Sequence, residues 1–81
     1  MYKNKHNGRN NICGLKIKEL RTSSVPKLSQ RALADKLQLE GIDLNKNAIQ
    51  KIESGSRFVT DIEIGAFARV FNVTVEYLLS E

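Results

Sequence analysis

The chain has 81 residues and a net charge of +4, and 41% of its residues are hydrophobic. This composition is typical of a small globular domain rather than a disordered chain, and the core of so short a chain is too thin for a deep catalytic pocket. One cysteine excludes an intrachain disulfide, and the lack of a secretory signal or a membrane-spanning apolar run predicts a reduced, cytoplasmic location.

The charge is unevenly distributed along the chain. Residues 1–57 hold twelve Lys or Arg and five Asp or Glu, a net of +7. Residues 58–81 hold one Arg and four acidic residues, a net of −3. The basic character of residues 1–57 and the acidic character of residues 58–81 favour a polyanionic partner on one side of the molecule. Ordinary solvated surface charge is the alternative, and charge alone leaves both open.

Residues 1–11, MYKNKHNGRNN, are predicted to form a flexible basic arm. The segment has three Lys or Arg and four asparagines, a composition that does not favour a helix. It is either a terminal tail without a role or an arm that lies along phosphates. His6 and Cys13 are too few soft ligands for a four-ligand zinc site, so no metal is expected.

The first two helices are predicted from apolar spacing and from stop signals. Helix 1 is expected from about Ile12 to Thr22, followed by a loop that contains the single proline. Helix 2 is expected to begin at Ser29, a good N-cap residue. Gly41 fits the C′ position of that helix, and Ile42 would then contact Leu37, as in a Schellman stop.

The stretch LNKNAIQKIESG, from Leu44 to Gly55, predicts a third helix with a start, a stop and two different faces. Asn45 is a good N-cap, and Gly55 suits a left-handed helix end. At about 100° per residue, Ala48, Ile49 and Ile52 share one side. Polar side chains without carboxylates fill the opposite arc: Lys46, Asn47, Gln50, Lys51 and Ser54. Such an arc can meet phosphates and base edges.

Two further helices complete the predicted domain. Thr60 to Glu63 reads as a capping box at the start of helix 4, and Ile64, Phe67, Ala68 and Phe71 form its core stripe. Helix 5 is expected to begin at Thr74. No strand pattern competes, so the sequence predicts an all-α fold of five short helices. The short turn between helices 2 and 3 makes a helix-turn-helix plausible.

Four segments of the chain together resemble the phage repressor/Cro-type helix-turn-helix family, known as the XRE family. They are GLKIKELR from Gly14, LSQ with Leu33-Ala34 from Leu28, IQKIESG from Ile49, and FNVTV with Leu78-Leu79 from Phe71. The resemblance extends from Gly14 to the end of the chain. The connection from Gln38 to Asp43 is several residues longer than the common pattern, which resembles a subgroup with a lengthened turn between helices 2 and 3.

The resemblance implies a lambda-repressor-like DNA-binding domain over residues 12–81, and a transcriptional regulator that acts as a repressor. Helix 3, about residues 45–54, would enter the major groove, where Lys pairs with guanine and Asn or Gln with adenine. The implied base-contacting residues are Lys46, Asn47, Gln50 and Lys51. The implied DNA-backbone contacts are Gln30, Asn45, Ser54 and Arg57. For each of these residues, an ordinary solvated position is the alternative.

The family pattern also implies a partly buried ion pair between Arg21 and Glu53; two exposed charges of little energetic weight are the alternative. The implied partner is double-stranded DNA, bound as a homodimer on near-palindromic sites. The apolar end of the chain either forms the dimer surface or closes the core: Val73, Val75, Tyr77, Leu78 and Leu79.

The sequence also bears on two functional classes other than DNA binding. The sequence has no Ser/His/Asp set and no glycine-rich phosphate loop, so no enzymatic activity and no cofactor are expected. The same fold can instead serve as a protein-interaction module, such as an antitoxin, in which DNA binding is weak or secondary. Steep loss of affinity with rising salt would distinguish the DNA-binding protein.

Overall fold

The structure is a computed structural model that describes residues 8–80, and these residues form five α-helices. They are α1 (Cys13–Ser23), α2 (Gln30–Leu39), α3 (Lys46–Ser54), α4 (Asp61–Phe71) and α5 (Val75–Leu79). Over this range the chain has no β-strand, so the all-α prediction is confirmed. The helix α3 packs against both α1 and α2, while α4 and α5 pack against each other and against α1.

The helix starts follow the predicted caps. Ser29, Asn45, Thr60 and Thr74 each accept a hydrogen bond from a backbone N–H three residues further on. Thr60 and Glu63 form both bonds of the capping box, with N···O distances of 3.2 and 3.0 Å. Helix α1 begins one residue later than predicted, and the side chain of Asn11 accepts the N–H of Gly14 at 2.8 Å.

The predicted Schellman stop of α2 is also confirmed. Gly41 has a φ of +84°, and the N–H of Ile42 donates to the Leu37 carbonyl at 3.0 Å. Helix α3 ends in the same way at Gly55, with a φ of +87°. Because α2 continues to Leu39, the connection to α3 comprises residues 40–45. These local hydrogen bonds fix where each of the two helices stops.

The core lies where α1, α2, α3, α4 and α5 meet. Its fully buried large side chains are Ile17, Leu33, Leu37, Ile49, Ile52, Phe67 and Leu78. Leu78 is therefore a core residue, although the sequence also allowed it at a dimer surface. Tyr77 and Leu79 stay partly exposed, at 38% and 46%. None of the helices formed by residues 8–80 has the length and apolar character to cross a membrane.

The end of the predicted arm is docked on the helical domain. The backbone N–H of Asn10 donates to the Gly55 carbonyl at 2.7 Å. The Asn11 amide donates to the carbonyls of Ile52 and Arg57 at 3.0 and 2.7 Å. Residues 10 and 11 of the predicted arm thus donate to carbonyls at and just beyond the end of α3, and the flexibility of the arm stays a prediction. Residues 1–7 of the arm, with Lys3, Lys5 and His6, lie outside the described residues.

Candidate nucleic-acid interface

The polar arc of α3 is exposed along its whole length. Its apolar side is fixed in the core by Ile49 and Ile52, both fully buried. The opposite side presents the four predicted base-contacting residues to solvent: Lys46, Asn47, Gln50 and Lys51. Two of these side chains are cationic and two are amides, so the surface can donate to acceptors and, through the amides, also accept.

The N-terminal end of α3 is held by its own cap. The Asn45 side-chain oxygen accepts the N–H of Ala48 at 2.8 Å, and the side chain is exposed. A shallow groove between α2 and this helix start is lined by both signs of charge, from Arg31, Asp35, Asp43 and Lys46. The positive character of the interface therefore depends on the outer arc and not on this groove.

A buried ion pair holds the C-terminal end of α3. The Arg21 guanidinium donates to both carboxylate oxygens of Glu53, at 2.6 and 2.9 Å. The two side chains are only 12% and 4% exposed. Arg21 also donates to the Leu28 carbonyl at 3.0 Å, and its hydrogen bonds with Glu53 raise the pKa of Arg21 above its ordinary value. The pair thus joins α1 to the last turn of α3 and to the loop before α2.

Gln30 faces this ion pair. Its side-chain amide donates to a carboxylate oxygen of Glu53 at 3.1 Å. The sequence predicted that Gln30 contacts the DNA backbone, and the structure adds an internal role in bracing Glu53. The spacing along the chain did not predict this contact, because it joins the first residue of α2 to α3 across the helix-turn-helix. The phosphate contact stays a prediction.

Arg9 also contacts the end of α3. Its guanidinium donates to the Glu53 carbonyl at 2.7 Å, so a positive charge lies at the C-terminus of the helix, where the helix dipole favours it. Glu53 is therefore bound through both of its polar groups, its carboxylate by Arg21 and Gln30 and its carbonyl by Arg9. One signal in the sequence could have indicated the docking of residues 9–11: Asn11 stands three residues before Gly14, which is the spacing of an N-cap bond.

The two remaining predicted DNA-backbone residues lie at or just beyond the end of α3. Ser54 is exposed, and its hydroxyl donates to the Lys51 carbonyl at 3.1 Å. Arg57 makes a bidentate ion pair with Glu63, at 2.9 and 3.1 Å. This pairing with Arg57 is the main reason that the pKa of Glu63 is lowered from its ordinary value. The guanidinium of Arg57 thus faces a carboxylate within the same chain.

The single cysteine, Cys13, belongs to the hydrophobic core. Cys13 is buried, and burial raises the pKa of its thiol to about 11. The thiol is therefore neutral at physiological pH and a poor nucleophile. Among residues 8–80, no group of three or more His, Cys, Asp or Glu side chains could hold a metal ion.

Comparison with known proteins gives one finding. Residues 17–78 match the model of a family described as helix-turn-helix, and this range includes α2, α3, α4 and most of α1 and α5. No curated protein and no solved structure matched the chain. The matched range contains Arg21, Glu53 and the whole polar arc, whereas the docked residues 9–11 precede it. The match is to the family as a whole, and the lengthened-turn subgroup stays a prediction.

Proposed function

Because the chain belongs to the XRE-type helix-turn-helix family of DNA-binding transcriptional regulators, we propose that it recognises a specific duplex sequence and represses transcription there. The observation that carries this proposal is the exposed polar arc of α3, mounted on a helix whose other side is buried. A fixed helix with a polar outer face is suited to entering the major groove.

In the proposed complex, α3 reads bases. A helix of nine residues is roughly 13 Å long at about 1.5 Å per residue, enough to face about four base pairs at 3.4 Å each. Lys46 and Lys51 would donate to the O6 and N7 acceptors of guanine, and Asn47 and Gln50 would pair with adenine. The matching polarity of these groups and base edges supports this assignment.

Contacts to the DNA backbone would fix the register of α3. We assign them to Gln30, Asn45, Ser54 and Arg57, which lie at the start of α2 or at and just beyond the ends of α3. Such contacts carry no sequence information themselves. The net charge of +7 over residues 1–57 supports attraction to the phosphates.

Homodimer binding to a near-palindromic site is part of the proposal, since a small module alone makes few base contacts. Tyr77 and Leu79 are the candidate contacts from α5, because each exposes apolar surface at the end of the domain. Sedimentation of the protein with and without a two-half-site duplex tests this part. A one-to-one complex on such a duplex would contradict it.

Selection of bound sequences from a random duplex pool tests the function. We expect one sequence class to be enriched, and its affinity to fall steeply between 50 and 200 mM salt through counterion release. Substitution Asn47→Ala should cost roughly 1–3 kcal/mol on the selected duplex and relax preference at particular bases. If no duplex is enriched even at low salt, the proposal of DNA binding is wrong. A role as a protein-interaction module, such as an antitoxin, then becomes the leading alternative.

A further inference from the structure

The ion pair between Arg57 and Glu63 has the geometry of a phosphate contact. The guanidinium presents two N–H groups to two oxygens, at 2.9 and 3.1 Å, and the same fork binds a phosphate in the same bidentate way. Arg57 Nη1 also donates to the Phe58 carbonyl at 2.9 Å. Three of the five guanidinium N–H donors, including both that form the Nη1/Nη2 fork, are thus already occupied within the protein.

Arg57 is close to the proposed reading helix. Its backbone N–H donates to the Lys51 carbonyl at 3.3 Å, and its side chain is 32% exposed, whereas that of Glu63 is 13% exposed. A further hydrogen bond holds Glu63 in place, because its Oε1 also accepts the N–H of Thr60 in the capping box. A fixed carboxylate therefore stands beside a cation that could otherwise turn outward.

We propose that Glu63 restrains DNA affinity by holding the Nη1/Nη2 fork of Arg57 in an internal pair, which a DNA phosphate must displace to bind that fork. This inference rests on the proposed function and adds a residue that regulates it. Glu63 is a positioning residue that acts through Arg57. Because phosphates are present at every sequence, the restraint acts equally on specific and non-specific duplexes.

Substitution Glu63→Gln separates the charge of this residue from its capping role. Glutamine is accepted at this position of a capping box, so thermal unfolding followed by circular dichroism should show a folded variant. We expect E63Q to bind a random-sequence duplex roughly 3- to 10-fold more tightly at 50 mM salt, with a salt dependence steeper by roughly one counterion. Fluorescence anisotropy over a salt series measures both quantities.

Two controls isolate the role of Arg57. Asp61→Asn removes one negative charge from the exposed first turn of the same helix and should change affinity less than E63Q does. In an Arg57→Gln background, the effect of E63Q should fall to that of D61N. Equal effects of E63Q and D61N would overturn the inference, as would weaker binding by E63Q. Binding by neither the unmodified protein nor E63Q would overturn the proposed function together with this inference, whereas equal binding by both overturns the inference alone.

Discussion

The two ends of α3 are held in different ways. At the N-terminal end, the exposed Asn45 caps the helix with its own side chain after the connection of residues 40–45. At the C-terminal end, Glu53 is buried and bound by Arg21, Gln30 and Arg9. The protein therefore orients α3 mainly from its C-terminal end, through contacts that reach α1, α2 and the docked N-terminal residues.

This difference separates the residues that hold α3 in place from the residues that are proposed to contact DNA bases. At the C-terminal end, the Arg21 guanidinium and the Glu53 carboxylate are nearly buried and satisfy each other, so this pair cannot at the same time bind DNA. The exposed groups along the arc, from Lys46 to Lys51, have solvent as their neighbour and can exchange it for bases. Substitutions at the C-terminal end should accordingly change stability most, and substitutions on the arc should change binding most.

The largest stability effect is expected for Arg21→Ala. It leaves the Glu53 carboxylate buried without its cation, and removal of one partner of a buried pair costs about 3–5 kcal/mol. Urea unfolding followed by circular dichroism measures the loss. Glu40→Ala is the matched control, because it breaks an exposed pair with Arg69 and should cost under about 1 kcal/mol. Equal losses of unfolding free energy in the two variants would contradict the claim that the buried pair matters more than the exposed one.

A smaller loss is expected for Gly14→Ala, at the contact between α1 and the end of α3. A Cβ on Gly14 would overlap the Ile52 carbonyl oxygen, so the two backbones would have to separate, at about 1–3 kcal/mol. Gly65→Ala is the control in α4, where the nearest atom is a flexible Arg69 nitrogen at 3.6 Å. That variant should gain roughly 0.5–1 kcal/mol from helix propensity. A stability gain in G14A would contradict the close approach.

The docked N-terminal residues give the next prediction. Asn11→Ala removes hydrogen bonds to Ile52, Arg57 and Gly14, and we expect a loss of about 2 kcal/mol because the carbonyls at this junction lose their donors. Asn45→Ala, at the other end of α3, removes one cap bond and should cost about 1 kcal/mol. Chemical denaturation compares the two variants. A larger loss of unfolding free energy in N45A than in N11A would contradict the claim that α3 is held mainly at its C-terminal end.

The smallest expected effect is on the thermal stability of the protein at acid pH. The pKa of Glu63 is lowered, chiefly by its hydrogen bonds to Arg57, so the carboxylate stabilises the folded state at pH values above its ordinary pKa. That contribution is lost as the pH falls through the lowered value. Thermal midpoints between neutral pH and pH 3 should therefore fall less in E63Q than in the unmodified protein. Parallel curves would show that Glu63 contributes nothing to the acid dependence.

The sequence predicted those features of the structure that depend on neighbouring residues. The caps at Asn45 and Thr60 and the stop at Gly41 are short-range hydrogen bonds, and the exposed arc of α3 follows from helical periodicity. The docking of Arg9 and Asn11, the brace from Gln30 and the pairing of Arg57 with Glu63 were missed. They depend on the angles at which segments meet, and Asn11 and Ile52, for example, are 41 residues apart in the chain. The Arg21–Glu53 pair also spans distant segments, and only the family pattern suggested it.

The central claim is that the outer arc of α3 binds DNA, and a pair of lysine variants tests it most directly. Lys51 lies on the arc, whereas Lys36 borders Val70 and Phe71 on the α4 side of α2; each substitution by alanine removes one positive charge. On the duplex selected from a random pool, Lys51→Ala should weaken binding by roughly 10-fold or more, and Lys36→Ala by much less. Equal losses would mean that only overall charge attracts DNA, and would contradict recognition by α3.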